Sequence, residues 1–246
     1  MAPSASAAPA PALTKHGIHV WHATLAATPE NLADAAKMLP EVEREKTALV
    51  TSEAQRARLT LSRAWVRGIL SRYLRQPASD ITIRRSPKGK PQVVADGEEQ
   101  APLQFSVSHS VDHMLVAVTR SDDVGVDLER MTRLADIERI AARFFAHSER
   151  DALLALPADQ RADAFFRVWV RKESVVKALG TGIAAAFDAF TVPLGKDVQH
   201  EVDVTGITGV DRQRLWVQLL DIGRVDYLAA VAYAHPDSKV EYAEWS

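Results

Sequence analysis

Two acids stand two residues apart in "GVDLER", residues 125–130, and a third follows in "WVRKESVVK", residues 169–177. If the first segment is a strand, Asp127 and Glu129 point to one face, roughly 6.5–7 Å apart. Val124, Val126 and Leu128 then take the opposite, core-facing side. A row of acids on a half-solvated strand is the ordinary alternative. Glu173 shifts the balance, because on a helix it shares a face with Trp169, Val170, Val176 and Lys177. An exposed Glu–Lys pair at i,i+4 contributes only about 0.3–0.5 kcal/mol, too little for a buried carboxylate. A hard cation between Asp127, Glu129 and Glu173 would compensate, and carboxylates with retained waters and phosphate oxygens are the usual magnesium environment.

Groups suited to an anion lie elsewhere. "SPKGKPQV" sets Lys88 and Lys90 around Gly89 in a turn, and "FSVSHS" ends in the donors Ser108, His109 and Ser110. Arg58 lies on a helix among Arg56, Arg63, Arg67 and Arg72. Each group alone reads more simply as a polar turn or a solvated face. Together, three acids and several cationic donors describe a site for a polyphosphate ester.

These groups need elements to hold them. "GIHVWHATL" alternates as an edge strand, and "ENLADAAKMLPEVEREKTALV" is helical material broken at Pro40. "SEAQRARLTLSRAWVRGILSRYL" reads as a long amphipathic helix with Ser52 as N-cap. "DITIRRSPKGKPQVV" is strand, turn, strand. "LQFSVSHS", "MLVAVTR" and "VGVDLER", joined by short polar turns, suggest a β-meander. "DIERIAARFF" and "HSERDALLAL" are helical and lead into a helix over 162–180. That helix is apolar nearly all round, the mark of an interior helix. "FDAFTVPL", "RLWVQLLDI" and "YLAAVAYAH" complete the chain as strands. Helices and strands thus occur twice, in halves meeting near residues 120–125, and "AWVRGIL" and "VWVRKES" echo one another across them. In that echo Gly68 and Ile69 occupy the places of Lys172 and Glu173, which would leave the chemistry on one half.

The 246 residues are 47% hydrophobic and 25% charged, enough for a sizeable core. The net charge of -2 argues against a general nucleic-acid binder. The absence of cysteine excludes disulfides, zinc–thiolate clusters and thiol nucleophiles. No apolar run approaches the ~18 residues of a membrane span. The Ala/Pro/Ser-rich start reads as a flexible tail rather than a secretory signal, and the expected location is the cytoplasm.

"GVDLER" followed by "WVRKESVVKALGTG" resembles the paired signature of the 4'-phosphopantetheinyl transferases, G-[VI]-D-x-E and W-x-x-K-E-[SA]-x-x-K-x-x-G-x-G. "GKP" at 89–91, "FSVSHS" at 105–110, "RFFAHSE" at 143–149 and "AAVAYAHP" at 229–236 are similar to the larger, surfactin-synthetase-activating type of that family. The likeness runs from about residue 38 to 236. It implies an α+β fold of two similar subdomains in a single chain, with the active site between them. The corresponding division is a tail at 1–15, an N-terminal subdomain at 16–122 and a C-terminal one at 123–246.

The resemblance further implies transfer of the phosphopantetheine arm of coenzyme A to a serine of an apo acyl, peptidyl or aryl carrier protein, releasing adenosine 3',5'-bisphosphate. It makes Asp127, Glu129 and Glu173 magnesium ligands, Glu173 also the base, and Lys177 the group that neutralises the pyrophosphate. Lys172, like Lys177, would pair with that anion. Arg58, Gly89, Lys90, Pro91, Ser108 and His109 would hold the adenosine bisphosphate portion of coenzyme A. Family members often carry basic residues after a Ser/Leu-Pro turn. In "LPEVEREK" Val42 and Glu45 stand there instead, with Arg44 and Lys46 nearby, so no contact is assigned. The protein is expected to be a monomer. A carrier would dock on residues 130–145, where Arg130, Arg133, Arg139 and Arg143 alternate with Met131, Leu134, Ile137 and Ile140. A magnesium-dependent nucleotide phosphohydrolase and a non-catalytic coenzyme A or carrier-binding module are the rival classes.

Overall fold

The structure is a computed structural model that describes residues 10, 12–94, 103–120, 122–132, 136–182, 187–196 and 199–245. The first half comprises β1 (Gly17–Thr24), α1 (Pro29–Met38), α2 (Glu41–Ala48) and the long α3 (Glu53–Leu74). A short hairpin of β2 (Thr82–Arg85) and β3 (Pro91–Val94) follows, then β4 (Gln104–Ser110) and β5 (His113–Thr119). The second half holds β6 (Val124–Arg130), α4 (Ile137–Phe144), α5 (His147–Ala155), α6 (Ala158–Leu179), β7 (Gln199–Asp203), β8 (Arg214–Leu220), β9 (Tyr227–Tyr233) and β10 (Lys239–Trp245). The α+β class and its two similar halves are as the sequence indicates.

Two four-stranded sheets carry the fold, ordered β10-β1-β5-β4 and β6-β9-β8-β7. Period-two alternation divides each strand between two cores. On β1 and β5, Trp21, Ala23, Met114, Val116 and Val118 pack with Leu61, Trp65, Ile69 and Leu70 of α3. Their alternate neighbours Ile18, Val20, Leu115 and Ala117 pack against Val124, Val126, Leu128, Ala229 and Val231 of the second sheet. The far face of that sheet, through Leu215, Val217, Ala230 and Ala232, lies under α6. The order of layers is therefore α3, first sheet, second sheet, α6.

Several expectations are corrected here. Strand β1 is not an edge: β5 pairs antiparallel on one side and β10 pairs parallel on the other. Residues 239–245 thus belong with the first sheet rather than with the 123–246 half, and Trp245 is buried in the first core. The β-meander stops at β5, because β6 pairs with β9 of the other sheet. "FDAFTVPL" is not a strand. The carbonyls of Phe187 and Phe190 accept from Lys172 Nζ, both at 2.6 Å, and that of Pro193 from Arg171 at 2.6 Å. Buried cations on α6 thus take the acceptors a neighbouring strand would have used. Of the expected tail, residues 1–9 and 11 lie outside the described residues. Leu13 is buried in the first core, and its carbonyl accepts from Arg120.

Candidate active site

The site lies where the edges of the two sheets meet. Strand β4 ends one sheet and β6 the other, and an unpaired edge leaves backbone N–H groups to be satisfied. Three serines satisfy them. The hydroxyls of Ser106, Ser108 and Ser110 accept from the N–H of Val126, Leu128 and Arg130 at 3.1, 3.3 and 3.0 Å. Period-two serines in "FSVSHS" were the signal for this seam, and their bridging role was not read from the sequence.

Helix α6 approaches the same strand from the other side. A Cβ on Gly125 would stand 1.9 Å from the Ser174 carbonyl oxygen and 2.4 Å from the Ala178 nitrogen. Only glycine permits this backbone contact. It brings Glu173 and Lys177 over the face of β6 that carries Asp127 and Glu129. That face is covered rather than wet: Asp127 is 3% exposed and Glu173 6%.

Lys177 Nζ donates to Asp127 Oδ1 at 2.7 Å and to Ser108 Oγ at 2.9 Å, while Ser108 Oγ donates to Asp127 Oδ1 at 2.8 Å. Ser110 Oγ donates to Glu129 Oε2 at 3.1 Å. Asp127 Oδ2 is buried and has no hydrogen-bond partner. Burial, then the Asp127 charge, pushes the Glu173 carboxyl up to about 7. The same two causes raise Glu129. Three acids thus repel one another beside one orphaned carboxylate oxygen. The donor set is all oxygen and fits a hard divalent cation, which would relieve both the repulsion and the orphaned atom. The three carboxylates do not lie within 4.8 Å of one another as a set; among the described residues only His16, Asp122 and His235 do.

The basic turn folds onto this site. Gly89 takes φ +90 with open space where a side chain would stand. Lys90 Nζ crosses to the second half and donates to the carbonyls of Ala178 at 2.8 Å and Val124 at 3.2 Å. It thereby satisfies a free carbonyl near the end of α6, and burial holds its pKa down. Gly89, Lys90, Pro91, Phe105, Val107, Glu173, Lys177 and Gly182 line one cavity of about 260 Å³. His109 is exposed on β4, on the strand face shared by Phe105 and Val107.

The expected residues do not all converge. Arg58 is exposed on the first half of α3 and is not among those lining the cavity. Ser108 is 7% exposed and already makes one donated and two accepted hydrogen bonds, the capacity of a hydroxyl. In this arrangement it holds Asp127 and Lys177 together. Lys172 faces away from the cavity. It is fully buried, its ammonium on Glu149 at 2.9 Å and on the Phe187 and Phe190 carbonyls. Glu149 in turn accepts from the N–H of Val192 and Ala146. This pair ties α5 and the segment after α6 to the helix, and "RFFAHSE" supplied its acid.

In the expected docking segment Arg133 and Leu134 lie outside the described residues. Met131, Ile137 and Ile140 pack partly against the core under α6 rather than forming an open apolar centre. Arg139 and Arg143 are exposed, and Arg130 pairs with Asp226 at 3.4 Å. No helix among the described residues is long and apolar enough to cross a membrane.

A repeated α+β chain with acids, lysines and a basic turn gathered on the seam is a fold and site of the phosphopantetheine-transferring class. Known proteins agree. Residues 123–232 match the family model described as the 4'-phosphopantetheinyl transferase superfamily, and residues 22–121 match one described as 4'-phosphopantetheinyl transferase, N-terminal. The 4'-phosphopantetheinyl transferase HetI of Nostoc is 34% identical over 167 residues, 68% of this chain and 70% of that protein. The transferase Sfp of Bacillus subtilis is 29% identical over 195 residues, 79% of this chain and 82% of its own. A Xenopus laevis L-aminoadipate-semialdehyde dehydrogenase-phosphopantetheinyl transferase is 30% identical over 128 residues, covering 49% and 42%. The chain belongs to the 4'-phosphopantetheinyl transferase family and is an enzyme of that family.

Proposed function

We propose that this chain moves the 4'-phosphopantetheine arm of coenzyme A onto a serine hydroxyl of an apo acyl or peptidyl carrier protein, with magnesium held by Asp127, Glu129 and Glu173. The observation that carries this is one cavity shared by the basic turn, Glu173 and Lys177, beside a buried Asp127 with an unbonded oxygen. The serine oxygen forms the new bond to phosphorus as the bond to the bisphosphate leaving group breaks. Glu173, which lines the cavity, accepts the serine proton. Lys177, fixed by Asp127 and Ser108, sets a positive charge toward the pyrophosphate. The turn at Gly89, Lys90 and Pro91, together with the exposed His109 of β4, receives the adenosine bisphosphate portion, and Arg58 contributes only at long range. Magnesium, when bound, would neutralise charge on the pyrophosphate oxygens.

The division into a 16–122 half that binds nucleotide and a 123–246 half that carries the acids belongs to this reading, with β10 lent to the first sheet. Both sides of the cavity come from one chain, which supports action as a monomer, and a cysteine-free chain suits the cytoplasm. The exposed arginines of 130–145 supply a basic rim for an acidic carrier. Incubation with coenzyme A, magnesium and an apo carrier tests the function. The carrier gains the mass of one phosphopantetheine, and adenosine 3',5'-bisphosphate appears only when carrier is present. Bisphosphate release without carrier would mark a phosphohydrolase, and neither product would mark a binding module; both outcomes overturn the proposal.

A further inference from the structure

A second group of potential ligands lies away from the transfer cavity. His16 immediately precedes β1, Asp122 stands in the link between β5 and β6, and His235 follows β9 where the chain crosses to β10. One nitrogen from each imidazole and one oxygen of the carboxylate lie within 4.8 Å of one another. His16 Nδ1 is 3.5 Å from Asp122 Oδ2, and His235 Nε2 is 3.1 Å from Asp122 Oδ1. The two imidazole rings are 4.3 Å apart, tilted by 55°. His16 Nδ1 is buried and makes no hydrogen bond, its contact in the cluster being the longer approach to Asp122 Oδ2.

We propose that His16, Asp122 and His235 form a site for a borderline divalent transition metal of the zinc class, separate from the magnesium-type acids. Two imidazole nitrogens and one carboxylate oxygen suit such an ion and do not suit magnesium. Tetrahedral coordination at about 2.0–2.1 Å sets neighbouring ligands about 3.3 Å apart, and the two nitrogen–oxygen separations here, 3.5 and 3.1 Å to different oxygens of Asp122, bracket that figure. All three residues are half-buried, leaving a fourth position for water.

The placement suggests a purpose. The three ligands come from the start of the first sheet, the link between halves and the return from the second sheet. Lys239 N–H donates to the His16 carbonyl at 3.3 Å, so the same point also anchors β10. A metal here clamps the two halves whose seam forms the cavity. The three positions also fall outside both family-model matches, 22–121 and 123–232. The clamp takes no part in the transfer chemistry, and it stands even if the transfer reading fails.

Cobalt(II) titration of the metal-free full-length protein, with millimolar magnesium present to occupy the acid site, provides the test. One equivalent binds at micromolar concentration with visible absorption of a four-coordinate nitrogen–oxygen site. His16→Ala and His235→Ala each abolish that signal, whereas Asp127→Asn leaves it unchanged. Because metal binding competes with protons for the ligating nitrogens, acid weakens the signal. Zinc raises Tm in the parent protein and in Asp127→Asn but not in the two histidine variants, and those variants keep their transfer rate in magnesium. No cobalt signal at micromolar metal, or one that survives both histidine variants or disappears with Asp127→Asn, overturns the site.

Discussion

Helices α3 and α6 are 22 residues each, and the same Trp-Val-Arg lies midway along both. The arginines do the same work. Arg67 is buried and donates to the carbonyls of Ala78 and Ile81, at 3.0 and 2.6 Å; Arg171 is buried and donates to those of Pro193 and Gly195, at 2.6 and 2.8 Å. Each thereby pins the segment that follows its helix. Even the position eight residues after the tryptophan reaches its own sheet in both halves. Tyr73 Oη lies 2.8 Å from His19 Nδ1 on β1, and Lys177 reaches Asp127 on β6. The halves part at the third and fourth positions. Gly68 admits Trp245 and Ile69 is fully buried, whereas Lys172 and Glu173 are buried charges. One scaffold therefore serves twice, and a few replacements on α6, facing acids on β6, turn a packing contact into a reactive seam.

The largest expected effect separates those equivalent positions. Glu173→Gln lowers kcat by about 10²–10⁴-fold with coenzyme A binding much less affected, whereas Ile69→Val costs about 0.5–1.5 kcal/mol of stability and leaves kcat near normal. Steady-state kinetics with denaturant unfolding reads both.

The two close-packed glycines come next. Gly125→Ala drives a methyl into the α6 backbone, costs about 3 kcal/mol or more, and lowers kcat by shifting Glu173 from Asp127. Gly68→Ala meets the buried Trp245 ring at 2.7 Å, side chain rather than backbone, and costs about 1–3 kcal/mol without changing kcat.

A pH experiment follows. Metal-free, Glu173 titrates in the folded state near 7 against an ordinary value of 4.5. The folded state then holds a proton the unfolded chain has lost, so this group's stabilisation is full below about pH 4.5 and lost as pH rises through about 7. Glu173→Gln should therefore stabilise the metal-free protein above pH 7 by up to about 3 kcal/mol, an advantage that magnesium shrinks. Urea titrations at several pH values measure it.

The serine seam gives a smaller contrast. Ser106→Ala costs about 1–3 kcal/mol by stranding the Val126 N–H. Ser108→Ala costs a similar amount and also lowers kcat, since Asp127 and Lys177 lose their common partner. The smallest effect is at the rim: Arg139→Glu raises the carrier KM a few-fold at low salt and leaves the coenzyme A KM unchanged.

Much of this was legible from spacing alone. The two long helices, the basic hairpin and the pairing of β6 acids with α6 charges follow local periodicities of two and of three to four. Long-range facts were not. "KVEYAEW" shows no more strand character than many surface segments, and its place beside β1 depends on Trp245 filling the space Gly68 leaves. Lys172 reads as a partner of the anion because it and Lys177 are charged positions on an otherwise apolar helix. One residue's rotation round the helix sends it instead to Glu149 and the Phe187 and Phe190 carbonyls. Strand β6 read as the third strand of a meander because a sequence does not reveal at which turn a chain changes sheets. The serines that join the sheets at that point carried the clue in their alternation.

The central claim is that the β6 and α6 acids form one site. Single-turnover transfer to an apo carrier by Asp127→Asn, Glu173→Gln and the double variant tests it most directly. Side chains acting as a unit give non-additive losses, so the double variant should be within a few-fold of the slower single variant. A double variant slower by the product of the two losses, or either single variant at the parent rate, would contradict a shared site.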